Sequence, residues 1–218
     1  MRNVLARPVR GPRQSSGGEG RRGAPLLRTL LSALAGHDAY TYRHSLRTVR
    51  LSLLIGRECA VTGPALRDLC LGALVHDAGK VFVPAGVLHK TGRLTPAEWE
   101  AVRRHPQEGA RLLRGALPSA VAARRVVLQH HERWDGRGYP AGLGGEAIDL
   151  CARVVAAADA FDAMTSERPY RRALGHGEAA AELRRCSGTQ FDPQVVEAFG
   201  RVPSEMLEAA CRARPARP

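Results

Sequence analysis

Aromatic residues are scarce in this sequence. Only 5% of its 218 residues are Phe, Trp or Tyr, although hydrophobic residues as a whole make up 44%. Strands favour aromatic and β-branched side chains, whereas alanine and leucine favour helices. A core of small aliphatic side chains is therefore expected, and the composition predicts a mainly helical protein. At this length the default expectation is one globular domain with tails.

Paired cysteines and long apolar runs are also missing. The five cysteines are scattered, odd in number and never spaced as CxxC, which predicts reduced packing residues rather than a disulfide framework. No apolar run approaches the length of a membrane span, and no apolar segment follows the basic N terminus as it would in a signal peptide. The sequence therefore predicts a cytoplasmic protein that has no membrane partner.

Lysine is nearly absent, since Lys80 and Lys90 are the only two, yet the net charge is +12. Residues 1–24 contribute +5 and residues 201–218 contribute +2, so the two ends carry over half of the excess. No basic stripe interleaved with aromatic residues is present, which argues against a surface for duplex nucleic acid. An anionic small substrate remains compatible with this charge.

The chain divides into one domain and two tails. Residues 1–24 are rich in Arg, Gly, Ser and Pro and cannot bury enough apolar surface to offset the entropy of ordering, so a disordered leader is predicted. Residues 25–210 form the predicted domain, and residues 211–218 a disordered tail. Apolar periodicity predicts helices at 26–34, 40–60, 64–79, 95–104, 107–114, 118–131, 150–164, 178–186, 193–199 and 204–210.

Two local signals fix helix boundaries near the middle of the chain. Thr95 suits the N-cap position, Pro96 the first helical position and Glu98 the third, which together form a capping box. His105 precedes Pro106, and proline disfavours a helical conformation in the residue before it. The sequence therefore predicts a helix start at Thr95 and a helix break at His105.

The stretch HHERWDGRGYP, residues 130–140, is an unusual pattern for packing alone. Two adjacent histidines stand at a predicted helix end and are followed by Asp-Gly and Gly-Tyr-Pro, which favour turns. Adjacent residues lie about 100° apart around a helix, so both rings rarely belong to one apolar face. At a fraying end both can turn towards one cation, although two solvated or capping histidines are an alternative.

Seven residues in the chain, the paired histidines among them, could bind a hard or borderline divalent metal and do not suit an apolar face. Imidazole nitrogens with two carboxylates suit iron, manganese or zinc, and a carboxylate between groups of histidines can bridge two ions. Most of these residues fall at predicted helix ends, at helix breaks or inside an apolar run. The candidates are His44, His76, Asp77, His105, His130, His131 and Asp159.

Five ordered motifs resemble those of the HD-GYP family, a branch of the HD phosphohydrolases. They are HDAGK at 76–80, HP at 105–106, HHERWDGRGYP at 130–140, AAADAFDAMTSERPYR at 156–171 and GTQFDP at 188–193. A bare HD doublet would be weak evidence, whereas five motifs in order over residues 42–199 are specific. The resemblance implies an all-α HD-domain fold and hydrolysis of cyclic di-GMP to linear pGpG or GMP.

The resemblance also implies a centre of two divalent ions, with iron or manganese favoured. The first site would comprise His44, His76, Asp77 and Asp159, and the second His105, His130 and His131, with Asp77 bridging both ions. Two such ions can lower the pKa of a shared water, so the nucleophile would be hydroxide. Some members bind a third ion through a Glu one turn before the first histidine, but Tyr40 stands there, which predicts two ions.

Further residues match positions near the substrate. Lys80 is expected to be catalytic and to neutralise charge on the phosphoryl oxygens, the alternative being a solvated lysine at a helix end. Asp162 could orient a metal ligand or a substrate group. The resemblance implies that Arg168 and Arg171 contact substrate phosphate, and Tyr139 could stack on guanine or cover its own loop.

One further departure and two alternative functions remain. Phe82 stands where a small residue often follows the HD motif, and we expect it to narrow the site. An HD phosphohydrolase acting on other nucleotides has the same chemistry, although simpler HD enzymes lack the HHERWDGRGYP stretch. A non-catalytic module that binds a GGDEF-type diguanylate cyclase through the Gly-Tyr-Pro loop is the other alternative. The sequence does not indicate an oligomeric state.

Overall fold

The computed structural model describes Thr29, Ser32, Gly36 and residues 39–167 and 172–212. The predicted leader, most of the helix predicted at 26–34, and both Arg168 and Arg171 lie outside the described residues. Within those residues the structure is helical and contains no strand. The prediction of an all-α fold is confirmed.

Ten α-helices are present in the described part of the chain, and we number them in chain order. Two 3-10 turns are also present, the first at Ala78–Phe82 and the second at Gly145–Ala147. The helices are α1 Ala39–Glu58, α2 Gly63–Val75, α3 Ala85–Leu88, α4 Pro96–Arg103, α5 His105–Ala116, α6 Val121–Gln129, α7 Leu150–Thr165, α8 His176–Arg185, α9 Pro193–Arg201 and α10 Ser204–Arg212.

Two hydrophobic clusters hold these helices together. The larger cluster lies between α1, α2 and α7 and is closed by α8, α9 and α10, with Leu51, Leu69 and Phe161 fully buried in it. The smaller cluster joins the end of α2 and the first 3-10 turn to α5 and α6. Helix α2 packs against α1, α6 and α7, so the chain that leaves α2 emerges between the two clusters.

The helix start predicted at Thr95 is confirmed, and the predicted break is present one residue earlier than expected, at Arg104. The Thr95 hydroxyl accepts a hydrogen bond from the Glu98 amide at 3.3 Å, and the Thr95 amide donates to the Glu98 carboxylate at 2.7 Å. Helix α4 ends at Arg103 and α5 begins at His105, which is buried. The chain therefore turns at this break and points the His105 side chain into the molecule.

Other predicted helix boundaries were wrong. Helix α2 ends at Val75 rather than at Gly79, and α6 spans Val121–Gln129 rather than 118–131. Gly79 is required for another reason, since a Cβ there would overlap backbone atoms of His105 and Gly109. The short α3 was not predicted at all. In consequence the HD doublet and the paired histidines lie just beyond helix ends, in backbone that can turn inwards.

No helix in residues 39–167 and 172–212 is both long enough and apolar enough to cross a membrane.

Candidate metal centre

The structure brings together all seven side chains that the sequence predicts to bind metal. Each lies in a helix or within two residues of the end of one, and five helices contribute. The potential ligand atoms of His44, His76 and Asp77 all lie within 4.8 Å of one another. Those of His105, His130 and His131 satisfy the same limit and form a second group.

Asp159 joins the first group through His44, because its carboxylate lies 3.0 Å from Nε2 of that histidine. Asp159 faces the centre from α7, whereas His44 faces it from α1. We call His44, His76, Asp77 and Asp159 the first group, and His105, His130 and His131 the second group. Most of these side chains are buried, which strengthens electrostatic interactions with any cation among them.

Asp77 lies between the two groups and offers one carboxylate oxygen to each. Its Oδ2 is 3.4 Å from His76 Nε2 and 4.0 Å from His44 Nε2. Its Oδ1 is 3.3 Å from His105 Nε2. This division of its oxygens would allow the carboxylate to bridge two ions.

Three of the histidines are oriented by backbone carbonyls of helices. Nδ1 of His76, of His105 and of His130 lies 2.8, 2.7 and 2.7 Å, respectively, from the carbonyl oxygen three residues earlier. When Nδ1–H donates to that carbonyl, Nε2 carries the lone pair and faces the centre. This arrangement gives each ring the tautomer that a metal ligand requires.

His76 tests whether the donor set fits a cation. Its Nε2 is buried and has no hydrogen-bond partner among the residues that the structure describes. Leaving a buried polar atom unsatisfied costs about 1–3 kcal/mol. A divalent cation bound between His76 and its neighbours would satisfy this nitrogen, so the donor set fits the ions that the sequence implies.

The histidines of the second group have lowered pKa values, which favour the neutral form that can donate a lone pair. Burial, with a smaller contribution from neighbouring histidines, lowers the pKa of His105 and of His131 to about 3. Burial together with His131 and His76 also holds the pKa of His130 well below its usual value. All three rings are therefore neutral near pH 7, as ligation requires.

His44 is in a different environment. Burial lowers its pKa, but hydrogen bonds to Asp159 and Asp162 outweigh this effect and raise the pKa to about 9. Burial raises the pKa of Asp77, yet Lys80 and the adjacent histidines hold it well below its usual value. Near pH 7 the carboxylates of Asp77 and Asp159 are therefore ionised, and their negative charge favours a cation.

Asp162 is fully buried beneath the first group. It accepts a hydrogen bond from His44 Nδ1 at 2.6 Å and is bound by Arg47, whose Nε and Nη2 lie 2.6 and 2.9 Å from its two oxygens. Of the two roles that the sequence allowed, this geometry favours orienting a ligand over contacting a substrate. Sequence analysis missed Arg47, and its only signal was a position one turn after His44.

Lys80 lies at the edge of the centre. Its ammonium donates to Asp77 Oδ2 at 2.6 Å, and 24% of its side chain is exposed. The 3-10 turn that follows α2 brings the side chain back over the HD doublet. This position favours a lysine that neutralises the charge of a bound phosphate over a solvated lysine at a helix end.

The Gly-Tyr-Pro loop covers the second group. The Tyr139 ring stacks on His131 with centroids 4.8 Å apart and an angle of 27° between the planes. The Arg103 guanidinium lies 4.7 Å from the centre of the same ring. The ring therefore contacts a predicted ligand directly, and the structure favours a covering role for it.

A buried carboxylate, Glu132, fixes this loop, and sequence analysis overlooked it. Glu132 accepts hydrogen bonds from the amides of Ala141 at 2.7 Å and Leu143 at 3.0 Å. It directly follows the paired histidines, so the loop is tied to the residue next to two predicted ligands. Its buried position was concealed by the polar character of the HHER sequence.

The GTQFDP segment supports the loop from behind. The amides of Trp134 and Asp135 donate to the carbonyls of Gln190 at 3.2 Å and Thr189 at 2.8 Å. Asp192 caps α9 and also forms an ion pair with Arg153 of α7. This distant segment therefore positions the loop over the metal centre.

Two cavities adjoin the centre. One of about 330 Å³ is lined by His130, His131, Tyr139 and Asp159, with the side chains of Arg133 and Arg137 also contributing. Another of about 830 Å³ lies between the first 3-10 turn, α4 and α5. Phe82 is 57% exposed and lines only the second of these cavities, so it does not narrow the first as expected.

Comparison with known proteins gives a consistent result. A profile described as HD domain matches residues 28–195. The cyclic di-GMP phosphodiesterase PA4108 of Pseudomonas aeruginosa is 43% identical over 169 residues, which cover 78% of this chain and 41% of that protein. A cyclic di-GMP phosphodiesterase of Thermotoga maritima is 39% identical over 172 residues, covering 78% and 47%, respectively.

A further relative differs in its substrate. The 3′3′-cGAMP-specific phosphodiesterase 3 of Vibrio cholerae is 38% identical over 160 residues, which cover 73% of this chain and 35% of that protein. The chain therefore spans less than half the length of each of these three curated relatives.

Solved structures share the fold. A cyclic GMP-AMP-specific phosphodiesterase of V. cholerae superimposes with a TM-score of 0.59 at 20% identity, covering 89% of this chain and 54% of that one. Bd1817 of Bdellovibrio bacteriovorus, an HDG"Y"P protein, gives a TM-score of 0.60 at 22% identity, covering 83% and 60%, respectively. At these identities the likeness concerns the helical architecture alone.

Proposed function

The chain belongs to the HD-GYP branch of the HD domain family, and we propose that it is a metal-dependent phosphodiesterase that hydrolyses cyclic di-GMP. The observation that carries this proposal is the convergence of all seven predicted ligands into two groups that share Asp77. Relatives about 40% identical are named cyclic di-GMP phosphodiesterases, which supports the same substrate class.

Two divalent ions, with iron or manganese favoured, would be held by the first and second groups. Such ions supply an activated water for attack on phosphorus and polarise the phosphate oxygens. The three backbone-oriented histidines present their Nε2 lone pairs without having to reorganise. Asp77 aims one oxygen at each group and thereby fixes the spacing between them.

Lys80 would act on the substrate side of the centre. Its ammonium is held 2.6 Å from Asp77 Oδ2, next to the position where a scissile phosphate would lie. A preorganised positive charge that meets developing negative charge lowers the barrier to reaction. Lys80 is thus the proposed catalytic side chain besides Asp77.

The remaining substrate contacts are proposed from the resemblance. Arg168 and Arg171 would bind phosphate through their guanidinium forks, and Asp162 would act indirectly through His44. Tyr139 lies in the wall of the 330 Å³ cavity together with Arg133 and would contact a nucleotide that enters there. Hydrolysis would give pGpG, GMP or both.

A second candidate substrate is 3′3′-cGAMP, because one relative of 38% identity is specific for it. Both molecules are cyclic dinucleotides, so the same two-group centre would serve either. A non-catalytic role as a partner of GGDEF-type proteins is less favoured, because such modules commonly lose ligands and all seven are retained here.

The test is turnover by the full chain after loading with Mn²⁺, or with Fe²⁺ under anaerobic conditions, with metal content measured on the same sample. Substrates are cyclic di-GMP, 3′3′-cGAMP, pGpG and mononucleotides, with products separated by chromatography. We expect cyclic di-GMP to be cleaved with a kcat/KM at least tenfold above that for the other compounds. Protein that carries two ions but cleaves no cyclic dinucleotide would refute the proposed function.

A further inference from the structure

We propose that Arg47 is a positioning residue that fixes the orientation of His44 by holding Asp162. This inference rests on the proposed function, since it assumes that His44 is a metal ligand. Arg47 lies on α1, one turn after His44, and only 15% of its side chain is exposed. It contacts neither cavity nor any of the seven predicted ligands directly, so it would act through Asp162.

The contact between Arg47 and Asp162 uses both ends of the guanidinium fork. Nε lies 2.6 Å from one carboxylate oxygen and Nη2 lies 2.9 Å from the other. A bidentate pair of this kind restricts rotation of the carboxylate as well as neutralising it. Lysine, which presents a single point charge, would neutralise Asp162 without fixing its plane.

Asp162 passes this constraint to His44. Its Oδ2 accepts the hydrogen bond from His44 Nδ1 at 2.6 Å, which leaves Nε2 pointing at Asp159 and Asp77. A carboxylate bound to one imidazole nitrogen sets the tautomer and plane of the ring, and therefore the direction of the other nitrogen.

His44 needs this assistance because its partner differs from those of the other oriented histidines. His76, His105 and His130 each have Nδ1 next to a backbone carbonyl of a helix three residues earlier, which is rigid. His44 is bonded instead to a side chain from α7, which has rotational freedom of its own. A fixed carboxylate substitutes for the missing backbone carbonyl.

The spacing on the two helices is matched. His44 and Arg47 are three residues apart on α1, and Asp159 and Asp162 are three residues apart on α7, so each pair lies on one helix face. The two helices are joined by two successive ion pairs, His44 with Asp159 and Arg47 with Asp162. Asp162, in the second of these pairs, is completely buried, and an unpaired carboxylate there would destabilise the fold.

Ser166 completes the shell around Asp162. Arg47 Nη2 donates to the Ser166 hydroxyl at 3.0 Å, and this hydroxyl lies 3.3 Å from Asp162 Oδ2. Ser166 is the C-cap residue of α7, directly after Thr165. The guanidinium therefore holds both the carboxylate and the helix end beside it.

The competing explanation is that Arg47 only stabilises the packing of α1 against α7. The experiment therefore compares the parent with Arg47→Met, which removes the fork, and Arg47→Lys, which keeps the charge. Arg57→Met, an exposed arginine on the same helix, is the matched control. Binding of Mn²⁺ is measured by titration calorimetry on the metal-free protein, and the melting temperature of the metal-free protein is recorded alongside.

We expect Arg47→Met to weaken one of the two Mn²⁺ sites by about 10–100-fold while the other site keeps its affinity. Arg47→Lys should recover only part of this loss, and Arg57→Met should bind as the parent does. Unchanged affinity at both sites in Arg47→Met would overturn the proposal, even if its melting temperature were lower.

A second readout separates this inference from the proposed function. In ¹⁵N-edited spectra of metal-free protein, the proton on His44 Nδ1 should be protected from exchange in the parent and in Arg57→Met, and lost in Arg47→Met. A parent that binds two ions without turnover would refute the phosphodiesterase while leaving the metal titration informative. Equal protection in the parent and in Arg47→Met would refute the role of Arg47 whatever the activity.

Discussion

At the scale of single residues, Asp77 has the most demanding position, since its two oxygens face different groups of histidines. It is also paired with Lys80 and is almost completely buried. No other predicted ligand contacts both groups in this way within the described residues. The proposed two-ion centre therefore depends on this carboxylate more than on any one histidine.

Replacement of Asp77 by Ala is expected to abolish turnover, because the bridge between the two groups is lost. Asp77→Asn keeps the shape but not the charge and should reduce Mn²⁺ binding below two ions per chain. Product analysis and elemental analysis on the same preparations measure both effects. Glu205→Gln on the exposed face of α10 is the control. Near-normal activity in Asp77→Ala would be incompatible with the assignment of two ions.

Gly79 gives a second prediction at this scale. A Cβ at this position would overlap the carbonyl of His105 and the amide of Gly109, so Gly79→Ala must push the 3-10 turn away from α5. Forced overpacking costs about 1–3 kcal/mol, and here the shift would also separate Asp77 from His105. Denaturant unfolding and Mn²⁺ titration should both report the loss.

Gly86→Ala is the matched control, because nothing lies within 4 Å of a Cβ built there. It should unfold and bind Mn²⁺ as the parent does. If Gly79→Ala behaved like Gly86→Ala in both measurements, close packing of the turn on α5 could not be what positions the HD doublet.

At the scale of elements, the Gly-Tyr-Pro loop depends on Glu132. Its carboxylate accepts two backbone hydrogen bonds, from Ala141 and Leu143. Glutamine can accept only one of them, because its amide nitrogen would face the other N–H group. Glu132→Gln should therefore lower the free energy of unfolding by about 1–3 kcal/mol and raise hydrogen exchange across residues 138–143.

The same variant should affect catalysis less than the loss of a ligand does, with KM rising more than kcat falls. Glu146→Gln, an exposed carboxylate in the following 3-10 turn, provides the comparison and should leave exchange in the loop unchanged. Unaltered exchange at residues 138–143 in Glu132→Gln would show that other contacts hold the loop.

The elements that the sequence predicted well are those decided by neighbouring residues. Thr95 with Glu98 and His105 with Pro106 each determine a boundary within a few positions, and both are found in the structure. The ends of α2 and α6 were wrong because contacts with distant segments determine them. Gly79, for example, meets the backbone at His105 and Gly109, which no local pattern reveals.

The residues of the candidate site also differ in whether the sequence predicts them. The seven ligands were found because they fall in motifs and at breaks in helices, and the family resemblance grouped them. Arg47 was missed because its partner Asp162 is 115 residues away, and in an Arg-rich chain one more arginine on a helix gave no signal. Glu132 was missed because a polar residue in a turn-rich stretch is ordinarily exposed.

At the scale of the whole molecule, the proposed ions would join five helices that otherwise meet through two separate hydrophobic clusters. A ligand that binds only the folded state at about 100 times its Kd stabilises it by about 2.7 kcal/mol. For a domain of this size each kcal/mol raises the melting temperature by roughly 2–4 °C. Removing the metal with a chelator should therefore lower the melting temperature by about 5–10 °C.

This effect is checked by thermal unfolding before and after chelation, followed by addition of Mn²⁺ to restore the transition. Asp77→Asn should show a smaller difference between the two states, because it binds the ions less well. Identical melting temperatures for metal-loaded and metal-free parent protein would mean that the ions do not link the helices.

The order of the ligands along the chain has a consequence for biosynthesis. Asp77 and the second group all precede residue 132, whereas Asp159 lies on α7, which also carries much of the larger cluster. A ribosome releases the chain from its N terminus, so the second group would be exposed before the first can be completed. Metal capture by the first group must therefore await the emergence of α7 from the ribosome.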